Sequence, residues 1–165
     1  MFRIGFGYDL HKFKINNIST NHIIKICGID IKHNRAIDAH SDGDVALHAA
    51  VDAIFGAMAK DDIGTHFPAS EKQWYNANSE IFLKEAVEIM NAENYKLGNI
   101  DITIICQKPK IEPHRNIMRE NMAKIFNTNI NNISIKAKTN EGMDSIGQEL
   151  AIAAHVVVLC YKNNV

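Results

Sequence analysis

The chain has 165 residues, 46% of them hydrophobic and 22% charged, which is enough for one core and too little to divide comfortably, so a single domain over residues 1–165 is expected. Eighteen Lys and Arg against nineteen Asp and Glu leave a formal charge of −1, without the basic footprint by which a nucleic-acid binder releases counterions. Cys27, Cys106 and Cys160 are far apart and lack CxxC spacing, which argues against a disulfide framework or a thiolate zinc site and fits a reducing cytoplasm.

Residues 3–13 alternate, with Ile4, Phe6, Tyr8 and Leu10 on one side and Gly5, Gly7, Asp9 and His11 on the other, as a half-buried strand does. No basic and apolar export signal precedes them. Ile23 to Ile31 holds two short apolar runs broken at Cys27-Gly28, a hairpin leading into a polar loop over 32–39. Ser41-Asp42-Gly43-Asp44 opens a helix that runs without breakers to Lys60, and Ser41 with Asp44 has the spacing of a capping box. Apolar residues at 82, 83, 86, 87 and 90 mark a second helix from Asn78 to Asn94, followed by Leu97-Gly98 and a strand from Ile100 to Cys106. Pro109 and Pro113 mark a loop, residues 114–127 a third helix, Asn127 to Asn132 a turn, and Ile133 to Thr139 a strand. The last strand, Glu149 to Tyr161, includes the longest apolar run, which His155 interrupts and which is too short to span a bilayer, so no membrane partner is expected. The order β, ββ, α, α, β, α, β, β implies an α+β domain with helices packed on one side of a mixed β-sheet, in a ferredoxin-like arrangement.

The first helix is apolar at nearly every position, yet Asp44, His48 and Asp52 fall at i, i+4 and i+8 on one stripe. Buried carboxylates are costly unless they pair or coordinate something. Asp9 and His11, two apart on a strand, leave the same face, where Gly5 and Gly7 leave room. With His48 they make two imidazoles and a carboxylate, a three-ligand set that suits catalytic zinc with an open fourth position. An Asp-x-His pair alone is a weak signal, and the joint pattern carries the reading. His40-Ser41 at the helix start adds free N–H groups that favour an anion, so phosphate chemistry is expected beside the metal. Asp44 and Asp52 read either as partners that orient His48 or as a helix cap and an ordinary polar contact. His66, His114 and His155 have no motif support, and His22 and His33 read as solvated loop residues. Of the exposed lysines, Lys110 is the preferred cation for a nucleotide diphosphate.

Four segments together are far more specific than any one. Gly5-Phe6-Gly7-Tyr8-Asp9-Leu10-His11, Ala39-His40-Ser41-Asp42-Gly43-Asp44-Val45-Ala46-Leu47-His48, Asp62-Ile63-Gly64-Thr65-His66-Phe67-Pro68 and Lys136-Ala137-Lys138-Thr139-Asn140-Glu141 resemble the 2-C-methyl-D-erythritol 2,4-cyclodiphosphate synthase family, from the first strand to the last. The resemblance implies that Asp9, His11 and His48 bind zinc, that Glu141 ligates magnesium or manganese, and that His40 and Thr139 position the reacting phosphate. Asp62 and Gly64 would hold the methylerythritol hydroxyls. The loop from Cys106 to Glu112, with Ala137 and Lys138, would hold the cytidine and its phosphates. The full set of implied substrate contacts is Asp9, Leu10, His11, His40, Ser41, Asp62, Ile63, Gly64, Phe67, Cys106, Lys110, Ile111, Glu112, Ala137, Lys138, Thr139, Asn140 and Glu141. The implied assembly is a homotrimer with sites between subunits, and the implied reaction an intramolecular attack of a 2-phosphate on a β-phosphate with loss of CMP. Lys138, Ala69 and Glu112 depart from the family's usual residues, none at a zinc ligand. Two other readings compete: a zinc-dependent nucleotide phosphohydrolase, against which the lack of a clear base counts, and a non-catalytic metal- or nucleotide-binding module.

Overall fold

A computed structural model of the chain describes residues 1–162 apart from Asn17 and Thr20, so residues 163–165 of the expected domain lie outside the described residues. Strand β1 (Phe2–Phe13) is central to the architecture. It pairs antiparallel with β7 (Ala151–Lys162) from Phe2↔Tyr161 to Lys12↔Ala151, and briefly with β4 (Ile37–Asp38). On the other side of β7 lies β5 (Tyr95–Ile105), antiparallel to it and parallel to β6 (Ile133–Lys138), giving the sheet order β4-β1-β7-β5-β6. Strands β2 (His22–Ile26) and β3 (Ile29–His33) form a separate hairpin. They turn at Cys27 and Gly28, both at positive φ as the favoured two-residue turn requires.

The strand β5 begins at Tyr95 and not at Ile100, because Gly98 does not break the strand. It sits at a register shift between Leu97 and Asn99, where a Cβ would lie 3.1 Å from the Leu159 carbonyl oxygen. A glycine in that place makes a bulge. The sheet is mixed and its three long helices lie on one side, while a single turn at Asp144–Gly147 packs Ile146 on the other face against Ala151 and Ala153, and the ferredoxin-like arrangement describes only part of it. Strands β1 and β5 run parallel with β7 between them, a split βαβ, whereas β5 and β6 are adjacent parallel neighbours joined by helix α4 (Arg115–Phe126). The element order βαβαββ therefore differs from the βαββαβ of that arrangement.

Helix α1 (Val45–Met58) is buried along almost its whole length, between the sheet and α3 (Ser79–Ala92). Its approach to β1 is set by glycine. A Cβ on Gly5 would lie 1.7 Å from the Ala53 carbonyl oxygen, and one on Gly7 would lie 1.9 Å from that of Ala49. Backbone meets backbone there, with alanines on the helix side. The alternation of β1 is thus inverted from the usual sense. Its glycine, Asp9 and His11 side faces the helix, while Phe2, Ile4, Phe6, Tyr8 and Leu10 point from the opposite face into solvent, Phe2 at 72% exposure and Phe6 at 59%.

The capping-box expectation is corrected. Asp44, and not Ser41, caps α1: its Oδ1 accepts from the N–H groups of Ala46 and Leu47, and its carboxylate also accepts from Cys27 N at 3.0 Å and Gly28 N at 2.6 Å. Burial pushes this carboxyl up to about 6, against the pull of those donors. One residue thereby fixes both the start of α1 and the tip of the β2–β3 hairpin. His33 is corrected as well: it is buried, stacked on Phe13 at 4.5 Å, with Nδ1 2.8 Å from Arg35 O and 3.0 Å from Arg35 N. His22 begins β2 and is no loop residue.

Candidate metal centre and active site

The close approach of α1 to β1 brings three side chains to one point. His11 Nε2 and His48 Nδ1 are 3.0 Å apart, His48 Nδ1 and Asp9 Oδ2 3.0 Å, and His11 Nε2 and Asp9 Oδ2 3.1 Å. Among the described residues this is the one group of three or more such donors close enough to hold a metal ion. A tetrahedral ion with arms of roughly 2.0–2.1 Å to N and O spaces its ligand atoms by about 3.3 Å, so the triangle fits zinc with little movement. The second carboxylate oxygen of Asp9 accepts from Leu10 N at 2.8 Å, which leaves Oδ2 to point at the imidazoles.

The protonation states also suit a cation. Burial disfavours imidazolium and holds His11 below the ordinary histidine range, although Asp9 pulls the other way. For Asp9, burial works against the charged form, but the hydrogen bond from His48 and the nearby imidazoles outweigh it and leave the carboxyl below its usual range. Metal ligands must be deprotonated, and the fold favours that state in both.

The triad lines a pocket of about 330 Å³ that also takes in His40, Ser41, Ile63, Gly64, Phe67, Trp74 and Phe82. Its far wall is the short helix α2 (Ile63–His66), and Asp52 explains how that wall is held. The Asp52 carboxylate accepts from Ile63 N at 2.8 Å, reaching across from α1. Asp62 caps the same turn, accepting from Thr65 N at 2.8 Å, so its side chain serves α2 and does not line the pocket. The stripe Asp44, His48, Asp52 therefore serves three ends: a cap, a candidate metal ligand and a tether. Neither carboxylate orients His48.

Its partner is a pair the sequence did not single out. His48 Nε2 lies 2.8 Å from Ser79 Oγ, a fully buried hydroxyl at the start of α3, and Ser79 in turn donates to Asp42. Ser41 Oγ is 3.1 Å from the same nitrogen. Trp74 and Phe82 were likewise missed as pocket walls. An aromatic on a helix face reads as core, and Phe82 is indeed packed there against Phe67 at 4.6 Å.

The expected cytidine residues gather elsewhere. Cys106, Lys110, Ile111, Glu112, Ala137, Lys138 and Thr139 line a second pocket of about 290 Å³, with Gln107 and Arg115, at the C-terminal ends of β5 and β6. Among the described residues none lines both pockets, so one chain does not bring His40 and Thr139 together. The two pockets open at the same end of the sheet with β7 between them. Glu141 and Asn140 lie outside both: Glu141 accepts from Thr139 Oγ1 at 2.5 Å, and Asn140 donates to Asp144. The Leu10 side chain is on the opposite face of β1. All three cysteines are free and buried, and no helix among the described residues is long and apolar enough to cross a membrane.

Comparison with known proteins bears on this geometry directly. Over 161 residues the chain is 46% identical to 2-C-methyl-D-erythritol 2,4-cyclodiphosphate synthase, chloroplastic, of Arabidopsis thaliana, covering 98% of the chain and 68% of that protein. The synthase of Anaplasma phagocytophilum is 45% identical over 161 residues, covering 98% of the chain and 95% of the relative. Among solved structures, IspF of Plasmodium falciparum in complex with CDP is 37% identical with a TM-score of 0.86, covering 99% of this chain and 97% of that one. The model of the YgbB family matches residues 2–161. A match of that extent, on a chain whose metal triad and pockets are formed as described, makes this protein a member of the YgbB family, that of the 2-C-methyl-D-erythritol 2,4-cyclodiphosphate synthases.

Proposed function

We propose that the chain converts 4-diphosphocytidyl-2-C-methyl-D-erythritol 2-phosphate into 2-C-methyl-D-erythritol 2,4-cyclodiphosphate and CMP, as a phosphorus–oxygen lyase of the non-mevalonate route to isoprenoid precursors. The observation that carries this reading is the triad Asp9, His11 and His48 inside a pocket walled by His40, Ser41 and α2, in a chain matched over 98% of its length by enzymes of that name.

In this reaction an oxygen of the 2-phosphate attacks the β-phosphorus of the same molecule, and the bond from that phosphorus to the α–β bridging oxygen breaks. No protein nucleophile is needed. Catalysis consists of folding a flexible chain onto itself and neutralising its phosphates. Zinc on Asp9, His11 and His48, and magnesium or manganese at Glu141, would supply that positive charge. His40 and Ser41 hold the phosphate that must come to the metal pocket, and Thr139 holds the diphosphate from the other pocket. Ile63, Gly64 and Phe67 wall the methylerythritol, with Asp62 fixing the turn that carries them. Cys106, Lys110, Ile111, Glu112, Ala137 and Lys138 receive the cytidine and its phosphates. Leu10 and Asn140, with side chains outside both pockets, are left with backbone contacts.

A homotrimer with sites between subunits accounts for two features at once. It brings the metal pocket of one chain to the cytidine pocket of another, which a single chain keeps apart. It also covers the apolar face formed by Phe2, Ile4, Phe6, Tyr8, Leu10 and Val157, which monomeric proteins rarely leave exposed. The proposed location is the cytoplasm, in keeping with three free thiols.

Nucleotide analysis tests the activity. Zinc-loaded protein incubated with the diphosphocytidyl substrate releases CMP. His48→Ala retains the fold but binds no zinc and loses nearly all turnover, because the triad then offers two ligands in place of three. Release of CDP, no release of nucleotide, or an active zinc-free His48→Ala protein would overturn the reading.

A further inference from the structure

His48 faces Asp9 and His11 through Nδ1, 3.0 Å from both. An imidazole that ligates through Nδ1 must carry its single proton on Nε2. Free histidine has no obligation to do so, and the group that receives that proton decides which nitrogen keeps a lone pair for the metal. At His48 that group is Ser79. Its Oγ lies 2.8 Å from Nε2, and its own O–H is committed to Asp42 Oδ1. An ionised carboxylate only accepts, so Ser79 donates to Asp42 and presents a lone pair to His48. The chain of donors therefore has one direction: His48 Nε2–H to Ser79 Oγ–H to Asp42.

Asp42 is itself held on three sides. Its Oδ2 accepts from Ser79 N at 3.1 Å, its Oδ1 from Asp44 N at 3.3 Å, and its own N–H donates to Ala77 O at 3.0 Å. The start of α3 is thus pinned to the loop before α1, and the hydroxyl has no exposure to water. Ser41 is the poorer acceptor, longer at 3.1 Å and already accepting from Gly43 N, and it lines the pocket, where its hydroxyl serves substrate.

We propose that Ser79 and Asp42 are positioning residues that lock His48 in its Nε2–H form and aim Nδ1 at the metal. This rests on the reading above, that the triad holds zinc. Hydrogen-bond partners behind a ligating histidine change metal affinity by about 10–100-fold when removed.

The test is zinc affinity by chelator competition, with the His48 Nε2–H proton of the zinc-loaded protein read by ¹⁵N–¹H NMR. In wild type that proton is hydrogen-bonded, shifted downfield and slow to exchange. Ser79→Ala binds zinc about 10–100-fold more weakly and loses the downfield shift. Asp42→Asn keeps an acceptor for the hydroxyl without the full charge, so it falls between the two, and it carries the test if Ser79→Ala does not fold. A residue that only packed would lower the melting temperature without moving that signal. Zinc affinity and the Nε2–H signal unchanged in both variants, with wild type binding zinc normally, would overturn the relay alone. Wild-type protein that takes up no zinc would overturn the metal reading, and the relay with it.

Discussion

Asp9 and His11 are the residues whose ionisation the fold bends most usefully. Both are pushed toward the deprotonated state, Asp9 by its imidazole neighbours and His11 by burial. The sign for His11 follows from its folded pKa lying below the unfolded one: between the two values the unfolded chain binds the proton, so stability falls as pH drops through the ordinary histidine range. Metal affinity falls in the same window, since protons and zinc compete for the same lone pairs. Zinc content measured after equilibration from neutrality to about pH 5 is predicted to decline steeply, and zinc held undiminished at the acid end would contradict the site. This grouping of candidate ligands was legible in the sequence because each lies on a regular element whose period says which face it occupies. Ser79 and Asp42 were not. They reach His48 from other segments, and a serine at a helix start has an ordinary capping explanation. Helical spacing likewise shows that Asp44, His48 and Asp52 share a stripe but not what each one meets. Their partners, Cys27 and Gly28, Asp9, and Ile63, come from three different elements.

Gly5 and Gly7 govern the element scale. Their missing side chains let α1 lie on β1 at backbone distance, and that distance is what places His48 within reach of Asp9 and His11. Gly7→Ala puts a methyl where the Ala49 carbonyl stands, so strand and helix must separate. The expected cost is about 1–3 kcal/mol or more in stability, with weakened zinc binding as the triangle opens. Thermal melting and zinc titration of the variant check this; an unshifted melting temperature with full zinc affinity would contradict it. The pattern of β1 predicted a strand with two unlike faces, and that is what forms. Which face is covered does not follow from hydrophobicity here, because the helix claims the glycine side. The extra length of β5 was hidden for a related reason: Gly98 marks either a break or a bulge, and only the register with Leu159 decides.

At the scale of the whole molecule, each chain carries the pocket of the Asp9, His11 and His48 triad, a separate pocket at the ends of β5 and β6, and an uncovered apolar face. In the proposed homotrimer, three chains joined through that face would bury the aromatic row and pair unlike pockets. Phe6→Asp is predicted to dissociate the trimer in sedimentation velocity and abolish turnover while each monomer still binds zinc. A trimeric or fully active Phe6→Asp protein would contradict this arrangement. Assembly was beyond sequence patterning, since exposed and buried alternation on a strand looks the same whether the cover is a helix or another copy. The most direct measurement is ³¹P NMR of the product made by the zinc-loaded wild-type protein. An intramolecular attack gives a cyclic diphosphate, two mutually coupled phosphorus resonances, alongside CMP. Linear phosphates accompanying CMP would mean that water had attacked, and the synthase account would fail.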